Sequence, residues 1–168
     1  MAKSTARQVA DAMQAADFDA MRDLLAPDVV LNSPITSSIQ FRGRDNILEL
    51  LRIVHDAYED LTYTEIFGRG DMWAQVFDVR VNGTPMQGTD LIRLDEEGRV
   101  SEFTVFFRPL SGVATLASAL APEVARRQGS RPRSAAARVM TRPLAAATRA
   151  GDRIAGRLAG GGSFPRRS

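Results

Sequence analysis

One carboxylate stands out against its surroundings. Asp90 opens the run Asp90-Leu-Ile-Arg-Leu94, which reads as a strand, at a position where a core-facing strand calls for an apolar side chain. A carboxylate there is costly unless something pairs with it or protonates it. Two readings follow. As a pocket acid among Phe and Val, Asp90 has a raised pKa, which suits a general acid or a hydrogen-bond donor. As a structural residue, it pairs with an arginine or caps local backbone groups. His55, the single histidine, is the one side chain here whose unperturbed pKa allows proton shuttling near neutrality. Asp90 and His55 make an acid/base couple if they come within hydrogen-bond reach; otherwise His55 is a partly exposed residue near a helix end.

Other polar groups are open to the same double reading. Tyr58, Tyr63, Trp73 and Asn32 could each present a polar tip at a pocket rim, while Tyr58 and Tyr63 also read as packing residues with solvated hydroxyls. Arg108, at a strand end, either clamps an anionic substrate or neutralises nearby acids. Asp95-Glu96-Glu97-Gly98 looks like a metal loop only superficially; a solvated hairpin turn accounts for it. With no cysteine and one histidine, disulfides, thiolate nucleophiles, cysteine-held zinc or iron–sulfur centres and histidine-rich metal sites are excluded. No metal or organic cofactor is expected.

The elements that must position these groups follow from periodicity and turn chemistry. Ser4 can cap a helix running to about Ala16, with Val9, Met13 and Ala16 on one face. Asp17 can cap a second helix, Phe18 to Leu25, closed by Pro27. Val29 to Leu31 and Ile39 to Phe41 are short strands. Asp45 opens a third helix to about Tyr58, with Ile47, Leu48, Leu51, Val54, His55 and Tyr58 on its buried face. Leu61–Phe67, Trp73–Val81, Met86–Leu94 and Val100–Phe107 alternate as strands, separated by Gly68–Asp71, Asn82-Gly83 and Asp95–Gly98. A further helix is expected from Ser111 to about Arg127. If Asp90 faces inward, alternation puts Phe103, Val105 and Phe107 beside it on the next strand. Gln75, Phe77 and Val79 then line the surface from the other side, with Asp78 and Arg80 outward. Three helices followed by a meander make an α+β fold.

Charge divides the chain. Residues 1–120 carry 11 Lys+Arg against 18 Asp+Glu, a balance of −7, whereas residues 121–168 carry 11 Arg against Glu123 and Asp152, a balance of +9. The basic segment is expected to be a loosely helical or disordered tail. It could bind nucleic acid or an anionic membrane surface, dock on an acidic partner including the body itself, or act as a solubilising extension. Phe164 is the one aromatic among its arginines, so base stacking has little to work with. The polar N-terminus lacks a signal-peptide core, and no run approaches the roughly 18 apolar residues of a membrane span. A soluble cytoplasmic protein is the expectation.

The order of elements resembles the nuclear transport factor 2-like superfamily, in its SnoaL-like branch. The motifs that carry the resemblance are Phe41-Arg-Gly-Arg-Asp-Asn-Ile47, Gly88-Thr-Asp-Leu-Ile-Arg-Leu94 and Gly98-Arg-Val-Ser-Glu-Phe103. With the first two helices they cover roughly residues 5–120. The resemblance implies a cone-shaped barrel, a strongly curved, mainly antiparallel sheet wrapped around the N-terminal helices, with a pocket in its open end and an Arg-rich C-terminal tail. It also implies a homodimer formed through the outer face of the sheet. Asp90 falls where ketosteroid isomerases carry a neutral acid that donates to the substrate oxyanion. Two residues depart from that pattern: Ser33-Pro34 replaces the Asp-Pro pair of the isomerase base, and Val9 lies on a first helix that has no tyrosine. Polyketide cyclases of the SnoaL-like branch are closer in relying on one carboxylate.

Two functions stand side by side. One is an isomerase, cyclase or hydratase acting on an apolar cyclic or polyketide-like substrate, with Asp90 and His55 catalytic. Phe77, Gln75, Phe103, Val105, Phe107, Tyr58 and Asn32 would bind the substrate. The other is a non-catalytic ligand-binding or protein-interaction module with a targeting or docking tail.

Overall fold

The computed structural model describes residues 4–35 and 40–127, together with positions 146–148, 150–152 and 154. Helix α1 (Thr5–Gln14) starts where Ser4 Oγ accepts the Arg7 N–H, and it buries Val9, Ala10 and Met13. Helix α2 (Phe18–Leu24) is capped by Asp17, whose Oδ1 accepts the Ala20 N–H at 2.9 Å. Leu25 is not the end of that helix but the first residue of β1 (Leu25–Asn32). Pro27 blocks helical continuation, and the residue before a proline prefers extended backbone. Strand β2 (Gln40–Arg42) leads to α3 (Arg44–Ala57). The N-cap of α3 is Gly43, at φ 84°, so the helix starts one residue before Asp45. Asp45 sits in the first helical turn and pairs with Arg22 of α2 at 2.7 Å.

The meander follows as β3 (Glu59–Arg69), β4 (Met72–Val81), β5 (Thr84–Leu94) and β6 (Val100–Arg108), and α4 (Leu110–Arg127) closes the described body. Asn82 and Gly83 both take positive φ, 48° and 70°, the backbone a two-residue hairpin turn requires. The six strands lie in the order β2-β1-β6-β5-β4-β3. All neighbours are antiparallel except β1 and β6, which run parallel. Register shifts interrupt β3 after Glu59 and Tyr63, and the β5–β6 pair after Arg93. Such bulges bend a strand and increase its twist, so the sheet curls around the helices. This is the α+β architecture the sequence implied.

The concave face carries the core. Val9, Met13, Met21, Leu31, Leu50, Ile92 and Phe103 form one buried cluster; Ile53, Phe77, Val79, Met86, Leu116 and Leu120 form a second. Helix α4 lies against the inner face of the meander, and Arg127 at its end pairs with Glu49 of α3. The helix ends at Arg127, as expected, so the first residues of the basic segment belong to it. Most of that segment, with the readings attached to it, lies outside the described residues. No helix among the described residues is long and apolar enough to cross a membrane.

Candidate functional site

The concave face and its helices enclose a cavity of about 370 Å³. Val9 and Met13 come from α1, Leu50, Leu51 and Val54 from α3, and Phe103, Val105 and Phe107 from β6. One wall is α4, through Leu116, Ala117, Leu120, Ala121, Val124 and Ala125. Phe77 packs edge-on to Phe107 at 5.8 Å and tilted against Tyr63 at 5.4 Å. Gly88 makes this possible, because a Cβ there would lie 2.2 Å from Phe77 Cζ and 2.6 Å from Phe107 Cε1. Two residues along the same face of β5 comes Asp90.

Asp90 is enclosed by protein, and the surface it retains opens on the cavity. No group among the described residues donates a hydrogen bond to it or pairs with it. Burial pushes its carboxyl up to about 7, because low-dielectric surroundings disfavour the charged form. Tyr58 and Tyr63 stand near enough to feel that carboxylate. Both hydroxyls are held well above the usual tyrosine value, first by burial and then by the Asp90 charge. They therefore stay neutral hydrogen-bond donors across the ordinary pH range. Apart from Ser33 near Pro34 and Ile35, these are the polar side chains among the described lining residues. One ionisable acid and two phenols in an apolar chamber can bind a carbonyl or hydroxyl and move a proton on it.

The SnoaL-like domain model matches residues 6–103. The chain belongs to the SnoaL-like domain family. Its fold is shared by an uncharacterized cystatin-like-fold protein from Silicibacter pomeroyi, at 30% identity and TM-score 0.70 over 77% of this chain and 93% of that one. A steroid delta-isomerase from Pseudomonas aeruginosa aligns at 26% identity and TM-score 0.67, covering 77% of this chain and 98% of the other. A provisionally named polyketide cyclase from Sinorhizobium meliloti shares the fold at 22% identity and TM-score 0.52, over 60% and 92% of the two chains. No curated protein matches the chain.

In this SnoaL-like chain the residues singled out from sequence separate into three groups. Asp90, Phe77, Phe103, Val105, Phe107 and Tyr58 come together around the cavity. Gln75 is fully buried behind it, with its Nε2 donating to the Ala6 carbonyl oxygen of α1. Asn32 and His55 are elsewhere. The Asn32 side chain donates to Glu102 at 2.7 Å and Thr104 at 2.9 Å and accepts from Gln40 at 2.7 Å. Gln40 and Thr104 are its register neighbours on β2 and β6, and Glu102 lies two residues before Thr104 on β6, on the side of the sheet away from Phe103. His55 packs edge-on against Phe18 of α2 at 5.9 Å, beside Arg52 stacked over the same ring. Leu51, Val54 and Tyr58 take the cavity face of α3, and His55 is not among the lining residues. It forms no couple with Asp90.

Sequence reading offers Tyr63 only as a polar tip at the pocket rim or a packing residue, whereas it lines the cavity itself, and it misses α4 as a wall. The signal for Tyr63 was its register: it pairs with Phe77 across β3–β4 and so faces inward. The signal for α4 was the spacing of Ala117, Ala121 and Ala125, which lays small side chains along one helical face. Ser33-Pro34 and Val9, the two departures from the isomerase pattern, do border the cavity, so those two positions offer neither a carboxylate nor a phenol; the cavity's phenols come instead from Tyr58 and Tyr63.

Proposed function

We propose that the chain binds a small, largely apolar molecule bearing a carbonyl or hydroxyl group, and that Asp90 acts on it as a single general acid/base. The reaction class is isomerisation, cyclisation or hydration. The observation that carries this reading is a buried carboxyl, held near 7, lining a cavity whose other walls are mostly apolar. A group with that pKa is populated in both forms near neutrality, the condition for efficient proton transfer in either direction. The carboxylate takes a proton from carbon beside the carbonyl, Tyr58 and Tyr63 donate to the oxygen that gains charge, and the neutral acid returns the proton. The other lining groups shape the ligand site; Gln75, His55 and Asn32 are left out of direct contact.

A non-catalytic receptor is the second reading, favoured by the absence of a second acid or base among the described lining residues. One experiment separates the two. Apolar ketones, including steroid and polyketide-like compounds, are titrated against native protein and Asp90→Asn while deuterium exchange at their α-carbons is followed. Exchange with native protein that is lost in the variant supports catalysis. Binding by both proteins without exchange supports a receptor, and binding by neither rejects the pocket reading altogether.

The outer sheet face supports assembly as a homodimer. Phe67 and Phe106, 56% and 55% exposed, flank Ala74, Val76 and Leu91, which alternation and register place on the face opposite Asp90. Such an apolar sheet face is suited to meeting a second copy of itself. Sedimentation of the native chain and of Phe106→Glu tests it: a dimer that the substitution splits is expected, and a native monomer rejects it.

A further inference from the structure

Not every buried polar group behind the cavity has a partner, and the exception stands next to the pocket acid. Gln75 has no exposed surface. Its Nε2 donates to the Ala6 carbonyl oxygen, which fixes the sense of the amide, since the opposite orientation would set oxygen against oxygen. Gln75 Oε1 is buried and receives no hydrogen bond among the described residues. Orphaned buried acceptors are rare because their lost hydration is not replaced.

The β4–β5 register sets Gln75 directly opposite Asp90, and side chains in such pairs have Cβ atoms about 4.5–5.5 Å apart. The neighbour of Gln75 on β3 is Ile66 and that of Asp90 on β6 is Val105, neither with a proton to give. Trp73, two residues along β4, already donates its Nε1–H to the Gly70 carbonyl oxygen. A neutral carboxyl has one O–H to donate, and Gln75 lacks one donor. We propose that Gln75 Oε1 accepts the hydrogen bond of the neutral Asp90 carboxyl, making Gln75 a positioning residue for the pocket acid. This rests on Asp90 being the pocket acid, though not on the identity or presence of a ligand.

The bond would hold the resting neutral carboxyl in one orientation, its O–H committed to β4 and its other oxygen left to the cavity, the oxygen that takes and returns the substrate proton once the resting O–H has been lost. On ionisation the same amide oxygen faces a carboxylate, an acceptor against an acceptor, so the contact favours the protonated form. The titratable groups that face Asp90 are Tyr58 and Tyr63; α1, α4 and β6 present only apolar side chains to the cavity. Because the other end of the Gln75 amide is bonded to α1, the charge on Asp90 is linked to the seating of a helix whose Val9 and Met13 line the chamber.

The test is a carboxyl-resolved NMR titration of the ligand-free chain, native and Gln75→Met, which keeps length and volume but removes the acceptor. The acid dissociation constant of Asp90 is expected to rise roughly tenfold in the variant, the equivalent of one net hydrogen bond. A folded variant whose Asp90 titrates unchanged, or at higher pH, overturns the proposal. Should the variant not fold, the native protein decides. The side-chain amide resonances of Gln75 should shift with the midpoint of Asp90, and an amide indifferent to that titration overturns the proposal. A confirmed Gln75–Asp90 bond in a chain that binds no apolar ligand would reject only the functional reading; ligand binding with an indifferent amide would reject only this one.

Discussion

Replacing Asp90 with Asn should make the protein more stable in alkaline solution and change little in acid. The native carboxyl sits at about 7 against 3.8 for an unperturbed one. The folded state therefore keeps a proton that the unfolded chain has already lost. Stability from this group is complete below about pH 4 and declines as pH rises through about 7. The gap between 3.8 and about 7 corresponds to roughly 4 kcal/mol across the whole window. Between about pH 5 and about pH 8 the native chain should lose roughly 2–3 kcal/mol that Asp90→Asn does not lose. Urea unfolding of both proteins at half-unit pH steps measures it. The remaining carboxylates titrate in both chains, so the difference curve isolates Asp90. A difference flat within about 0.5 kcal/mol would refute the reasoning. So would a gap that widens toward acid, because a salt-bridged aspartate behaves that way.

The other expectations concern the cavity and its surroundings. Tyr63→Phe and Tyr58→Phe should each weaken binding of a ketone ligand by roughly fivefold to tenfold, the loss of one donor, read by calorimetry. Gly88→Ala places a methyl within 2.2 Å of Phe77 and should cost about 1–3 kcal/mol of stability through overpacking, read by urea unfolding. His55→Ala should leave ligand affinity and any α-carbon exchange unchanged while trimming at most about 1 kcal/mol from the α2–α3 contact; lost activity in a stable variant would return His55 to the site. Ala121→Leu should discriminate by size in competition binding, excluding the largest ligands while smaller ones still bind.

Much of the fold was legible because periodicity changes cleanly along the chain. The three-and-four spacing of Ile47, Leu48, Leu51 and Val54 gives α3, and alternation from Trp73 onward gives β4. Asn82-Gly83 and Gly98 supply the turns. What misled was local chemistry with two outcomes. Asp45 has the residue type of an N-cap, yet Gly43 takes that place and Asp45 pairs with Arg22. Pro27 reads as the terminator of α2, and the helix does stop before it, but Leu25 and Ala26 already belong to β1. The parallel pairing of β1 with β6 is a long-range choice that no local pattern encodes.

The site divides along the same line. Alternation from Asp90 brings in Phe77, Phe103, Val105 and Phe107, because a strand has two faces and one suspicious residue identifies the inner one. Position on a helix face is less decisive: His55 shares the apolar stripe of α3 by spacing, yet it packs against Phe18 rather than facing the cavity. Asn32 closes β1, where Gln40, Thr104 and Glu102 take up its hydrogen bonds.

Energetics then give Asp90 more weight than its position does. An asparagine of the same shape would avoid an ionisation cost of roughly 4 kcal/mol. A nearby arginine would relieve it by pairing, as happens for Asp95 and Arg99 in the β5–β6 turn. Neither solution is present at the floor of the cone. Instead the acid is flanked by neutral phenols and apolar rings, and Gln75 stands opposite with an acceptor to spare. A structural carboxylate is normally paired, since that is what lowers its cost. A working acid must stay able to change its charge, and an unpaired carboxyl facing an accessible cavity meets that requirement.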